Sequence, residues 1–331
     1  MQISRENLIR IAKETAEKSA YSDPNLVAAY LTGSLRTSDP FLGNSTDIDI
    51  VFIHAGEPKI RREIIPLTPE IHLDIFHNPR RLYEKPKELR VHPWLGPELY
   101  DPLPLYVTRH FFEFVQAGVR DRYHEPVSTQ ARSHQLAQTA RQTWSKLQTA
   151  PEYGPEQILN YLRSIYLAAN AVALQTGAPL AERRFLLQFP LRARAAGQPD
   201  LAAGLLSLLG ANSVDGTALA GFLPEWEKNF LDAASNPAVD KSITAARLGY
   251  YKLAFNATLA GEFPQAMLWP LLITWTQAVS VLSPLRQARW RSACGMLGLG
   301  EASFKERLAG LDHFLDRIES LQEKLTASQG L

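Results

Sequence analysis

The sequence predicts an α+β fold: an N-terminal mixed sheet with flanking helices, then an all-α helical bundle. Three observations carry this expectation. Short, β-branched apolar runs at 26–31, 47–53 and 71–76 are confined to the first quarter of the chain. From about residue 128, helical periodicity replaces them. The 331 residues exceed the usual size of one domain. The expected division is 1–127 and 128–331.

Taken in order, residues 4–19 read as a helix, with Ser4 as its cap and Leu8, Ile11, Ala12 and Ala16 at helical spacing. LVAAYL (26–31) is short and apolar throughout, as a buried strand would be, and Gly33-Ser34 ends it. Strands at 47–53 and 71–76 flank the charged insertion AGEPKIRREIIPLTPE. Residues 77–127 are irregular and proline-rich, with a further strand in YDPLPLYV and a helix over 109–119. Helices are then expected at 130–148, 156–176, 180–196, 199–210, 217–232, 241–260, 264–282 and 302–326. The second of these begins near Pro155, stops before Gly177 and carries the stripe Ile158, Leu162, Ile165, Ala169, Val172.

Composition narrows the function classes. Apolar residues make up 45% and charged residues 21%, with net charge +1, so no global field advertises nucleic acid or membrane as partner. The single cysteine, Cys294, rules out an internal disulfide, suits a reducing cytoplasm and reads as a small buried residue. The N-terminus lacks the apolar core of a signal peptide. The apolar stretch 263–282 is broken by prolines, glutamines and threonines and reads as a buried helix. Trp269 and Trp275 read as core residues.

Chemistry concentrates at 33–76. In a strand, alternate side chains share a face. Asp47 and Asp49 therefore share one face, with Ile48 and Ile50 on the other. In the next run His72, Asp74 and Phe76 share a face. If the two strands pair, three carboxylates converge, and such a cluster repels itself unless a cation neutralises it. Hard, oxygen-liking Mg²⁺ is the expected guest. The Gly33-Ser34 turn suits phosphate: glycine permits close backbone approach, and the following turn aims free N–H groups. Arg36 could meet the same anion. His72 reads as a structural histidine, while His54 and His77 read as exposed beyond strand ends. RREIIP and the cluster Arg80, Arg81, Lys85, Lys87 read as solvated loop charge.

The ordered set LTGSLRTSDPFLGNSTDIDIVF with IHLDIF resembles the signature of the DNA polymerase β-like nucleotidyltransferase superfamily. The layout, one catalytic module followed by helices, is similar to the aminoglycoside nucleotidyltransferases, whose first long bundle helix NYLRSIYLAANAVALQTG also resembles. The resemblance implies an enzyme, and the cysteine usage suits the cytoplasm as its location. Gly33 and Ser34 would hold the phosphates of a nucleoside triphosphate, ATP foremost. Asp47 and Asp49 would ligate two Mg²⁺ ions, and Asp74 would ligate the catalytic one, activate the acceptor hydroxyl, or both. Thr46 stands where the family pattern has serine and keeps the hydroxyl. The acceptor would be a small molecule held between sheet and helices. A polycation is not favoured, because residues 128–331 hold 19 Lys and Arg against 16 Asp and Glu.

Two alternatives follow from the same residues. One is adenylation of protein or RNA, which the Arg80–Lys87 cluster would serve. The other is a non-catalytic antitoxin or regulatory module that keeps the fold. Arg307 and His313 also fit a loose ribonuclease-helix spacing, although a surface arginine and an amphipathic-helix histidine account for them.

Overall fold

A computed structural model describes residues 3–149, 152–328 and 330. The N-terminal part runs α1 (Arg5–Ser22), β1 (Leu26–Leu31), β2 (Thr46–His54), β3 (Arg62–Pro66), β4 (Ile71–Pro79), α2 (Pro86–Val91), α3 (Leu95–Tyr100), β5 (Leu103–Val107) and α4 (Phe111–Arg120). Helices follow: α5 (Pro126–Gln148), α6 (Pro155–Ala173), α7 (Phe185–Ala195), α8 (Asp200–Leu208), α9 (Gly216–Ala234), α10 (Leu248–Leu259), α11 (Leu268–Val279), α12 (Ala288–Met296) and α13 (Glu301–Ser328). The α+β class and its order, sheet then helices, match the expectation.

The sheet has the order β3-β4-β2-β1-β5. β2 and β4 pair in parallel, and every other pairing is antiparallel. The stretch read as an insertion supplies β3, which turns the chain around so that β4 returns parallel to β2. β3 escaped notice because it is a half-exposed edge strand without apolar alternation. The prolines Pro66 and Pro104 fall on the two edge strands, where a missing N–H costs least.

Alternation sorts each strand onto two apolar layers. Ile48, Ile50, Leu73 and Ile75 pack under α1, against Leu8, Ala12 and Ala16. Ala28, Tyr30, Val51 and Ile53 pack on the other side, against Tyr83, Leu89, Phe112 and Val115. Ser4 caps α1 by accepting from the Asn7 N–H at 3.3 Å. The short α2, α3 and α12 were not foreseen. Six to nine residues are too few for a periodic signal, and Pro86 opens α2 at a position where its missing N–H is harmless.

The helical part has its own core, in which Ile158, Leu162, Ile165, Ala169 and Val172 of α6 are all buried. The threonines that interrupt the apolar run of α11 have a purpose. Trp226 Nε1 donates to Thr274 Oγ1 at 2.9 Å, and Trp290 Nε1 donates to Thr276 Oγ1 at 3.1 Å. Trp275 Nε1 donates to Asn229 Oδ1 at 2.7 Å. These bonds tie α9, α11 and α12 together while satisfying buried indoles. Among the described residues, no helix is long and apolar enough to cross a membrane.

α10 joins the two parts. A Cβ on Gly249 would lie 2.0 Å from the Pro69 carbonyl oxygen, in the β3–β4 turn. A Cβ on Gly43 would lie 2.1 Å from the Leu253 carbonyl oxygen. The start of α10 is thus pressed between two loops of the sheet, above the acidic strands.

Candidate functional site

The parallel register sets Asp47 beside His72 and Asp49 beside Asp74. Partners in register project to the same side, so all four groups share the sheet face opposite α1. Asp47, His72 and Asp74 are buried, and Asp49 is partly exposed. One ligand atom from each of Asp47, His72 and Asp74 lies within 4.8 Å of the others. Among the described residues this is the one such cluster of three or more metal-capable side chains. Asp49, expected as a ligand, stands next to Asp74 on the same face but outside that group.

The turn after β1 abuts the acids. Gly33 has φ 72° and ψ −156°, a region essentially reserved for glycine. A Cβ there would meet Asp49 Oδ2 at 1.8 Å. Ser34 opens a short 3₁₀ turn, and its hydroxyl lies 2.9 Å from that of Thr46. Arg36, expected to face an anion, instead pairs with Asp101 at 2.9 Å.

Three arginines and a tyrosine surround the carboxylates. Arg62 of β3 grips Asp74 with both arms, Nε to Oδ1 at 2.8 Å and a terminal nitrogen to Oδ2 at 2.6 Å. It also lies over the Phe76 ring. From α10, Tyr250 donates its hydroxyl to Asp47 Oδ2 at 2.7 Å. Arg247, just before α10, reaches the same oxygen at 3.8 Å. Arg183 lies over the Tyr250 ring, 3.3 Å from its centroid, and donates to Ser45 Oγ at 2.7 Å. The His72 ring meets Tyr250 edge-on at 4.8 Å.

These neighbours push the titrating groups apart. Burial raises Asp47, but Arg183, His72, Arg247 and the Tyr250 hydroxyl outweigh it and hold its pKa below the usual value. Asp49 goes the other way: burial, then the charges of Asp47 and Asp74, push it well above the carboxylate range. Burial drives His72 down to about 4, so its ring is neutral at ordinary pH. Neither His72 nitrogen has a hydrogen-bond partner, although the side chain is fully buried. Adjacent acids with divergent pKa values are a recurring mark of functional sites. The donor set suits a divalent cation. Asp47 keeps one oxygen free of Tyr250, and each Asp74 oxygen accepts only one bond from Arg62.

Two histidine readings are corrected. His54 and His77 lie inside β2 and β4, not beyond them, and His77 is buried. Their rings hydrogen-bond to each other at 2.9 Å, flanked by Asp23 at 3.3 Å and Glu63 at 3.0 Å. Arg62 is likewise not solvated loop charge. Of the second basic cluster, Arg80 lies over Phe111, while Arg81 and Lys85 pair with Glu57 and Glu88. Arg307 is engaged with the carbonyls of Leu297, Gly298 and Ser207, and His313 is exposed. Trp269, Trp275 and Cys294 are buried as expected.

Arg183, Arg247 and Tyr250 went unread in the sequence, and Arg62 was read only as loop charge. Tyr250 and Arg247 reach Asp47 from about 200 residues away, Arg183 backs the Tyr250 ring, and no local spacing marks them. A cavity of about 670 Å³ lies along the same seam, between the β3–β4 turn (Pro66–Glu70) and the start of α10. Its walls include Gly249 and Lys252 but none of the four strand residues. Comparison with protein-family models and with curated proteins finds no match to this chain.

Proposed function

We propose that this chain is a nucleotidyltransferase that moves a nucleoside monophosphate from a nucleoside triphosphate to a hydroxyl of a small molecule. The observation that carries the reading is the parallel β2–β4 register, which collects Asp47, Asp49 and Asp74 on one face beside the Gly33-Ser34 turn. Under this reading the turn's backbone receives the triphosphate, and the absence of a side chain at Gly33 gives it room. The three aspartates would hold Mg²⁺, which supplies charge neutralisation at the phosphates when bound. Asp74, held by Arg62, would take the acceptor's proton. The acceptor oxygen then bonds to the α-phosphorus as the α–β bridge breaks, and pyrophosphate leaves with the bridging electrons. Binding on a fixed sheet face supplies the alignment such a transfer chiefly needs. The seam cavity beside α10 would take the body of the acceptor, as cavities at such junctions commonly do.

One observation favours a second reading. Arg62, Arg247 and Tyr250 already engage the carboxylates, as they would in a non-catalytic module that keeps the fold.

Labelled nucleoside triphosphate, Mg²⁺ and a panel of hydroxyl acceptors separate the two, with pyrophosphate release as readout. The transferase reading expects turnover in the intact chain and none in Asp49→Asn. That variant removes a charge that the neighbouring Asp47 and Asp74 oppose, so its melting temperature should not fall. Full turnover in Asp49→Asn, or none in the intact chain, overturns the assignment.

A further inference from the structure

The cation site sketched above has one member that an all-oxygen magnesium centre does not explain. His72 is fully buried on β4, between β2 and β3. Neither of its ring nitrogens is hydrogen-bonded. A neutral imidazole carries one donor and one acceptor, and leaving both unmet in the interior is costly and uncommon. The surroundings offer little remedy. Pro66, its register partner on β3, has no N–H, and Tyr250 meets the ring edge-on with its hydroxyl committed to Asp47. One ring nitrogen nevertheless lies within 4.8 Å of carboxylate oxygens of both Asp47 and Asp74.

We infer that Asp47, His72 and Asp74 form a mixed nitrogen–oxygen site for a single divalent first-row transition ion. The inference deepens the nucleotidyltransferase reading and rests on it for the ion's purpose. It does not rest on it for the ion's ligands.

The chemistry follows from the donors. Mg²⁺ favours oxygen, whereas imidazole suits first-row ions such as iron, nickel, copper and zinc; Mn²⁺, the weakest binder of that series, serves as their paramagnetic probe. The carboxylates are oriented from behind, as metal ligands usually are. Tyr250 holds Oδ2 of Asp47 and leaves Oδ1 available, while Arg62 fixes the plane of Asp74. Asp49 lies outside the trio and stays free for a second, oxygen-bound ion.

The test uses the full chain with Mn²⁺ alone and reads the bound ion by pulsed electron paramagnetic resonance. One tightly held ion is expected, showing a directly coordinated ¹⁴N. Labelling the protein with ¹⁵N-histidine should convert that signal to ¹⁵N, and His72→Asn should abolish it. The variant should also weaken Mn²⁺ relative to Mg²⁺ by about tenfold or more, since even outer partners of metal ligands are worth that much. Absence of bound Mn²⁺ at millimolar concentration overturns the inference. So does a bound ion without nitrogen coordination, or a nitrogen signal that survives His72→Asn. The isotope swap reads the wild-type chain, so it decides the matter even if the variant fails to fold. Mg²⁺-dependent transfer without a nitrogen signal would sink only this inference. A nitrogen signal without transfer would sink only the transferase reading.

Discussion

The Tyr250 hydroxyl donates to the Asp47 carboxylate at 2.7 Å across 203 residues of sequence. This bond ties the first turn of α10 to the centre of the sheet. Tyr250→Phe removes the donor but keeps the ring under Arg183 and against His72. The buried carboxylate then loses a charge-assisted bond, which costs about 1.5–3 kcal/mol. Urea unfolding should show that loss with an unchanged slope. An unaltered midpoint would mean that Arg247, 3.8 Å away, already suffices.

Gly33 is constrained twice. Its φ of 72° with extended ψ disfavours any side chain, and Asp49 Oδ2 occupies the space a Cβ would need. Gly33→Ala should cost about 1–3 kcal/mol through backbone strain. Under the transferase reading it should also raise the KM for nucleotide more than it lowers the melting temperature of the free chain would suggest. Wild-type stability and kinetics together would refute the tight turn–acid contact.

Gly249 tests the seam. A methyl group there would meet the Pro69 carbonyl oxygen, which is backbone and cannot swing aside. Gly249→Ala gains helix propensity, yet overpacking of this kind costs about 1–3 kcal/mol. Limited proteolysis should then cut the β3–β4 turn faster than in the wild type. Equal cleavage rates would show that α10 is not braced against that turn.

The His54–His77 pair predicts acid sensitivity. Burial, followed by the neighbouring His77, lowers the pKa of His54 below its ordinary 6.5, while Asp23 opposes. Between the lowered folded value and 6.5 the unfolded chain binds the extra proton, so stability rises with pH in that window. It should fall as the solution is acidified through 6.5. His54→Asn should flatten this part of the stability–pH curve. A curve as steep as wild type would place the sensitivity elsewhere.

The sheet strands were legible because alternation is a local signal. Leu26–Leu31 matched to the residue, Asp47 and Asp49 fell on one face as their spacing required, and the pairing of β2 with β4 brought Asp74 to it. β3 and the short helices were not legible. An edge strand need bury only part of itself, and a six-residue helix shows less than two turns of pattern. His54 and His77 were misplaced because a strand end cannot be told from a strand interior by two polar residues.

In the sequence by itself, residue parity placed Asp47 and Asp49 on one face of their strand and His72 and Asp74 on one face of theirs, so that the acids would meet if those strands paired; the parallel register that makes them meet came from the fold. Tertiary structure alone decided what surrounds them. Tyr250 on α10, and Arg183 and Arg247 in the turns just before α7 and α10, arrive from far along the chain, and β3 brings Arg62 in from the sheet edge. The nature of the site, including a buried His72 with no bonded nitrogen, depends on that enclosure. Burial and distance set charge and ligand geometry, and neither is a local property of sequence.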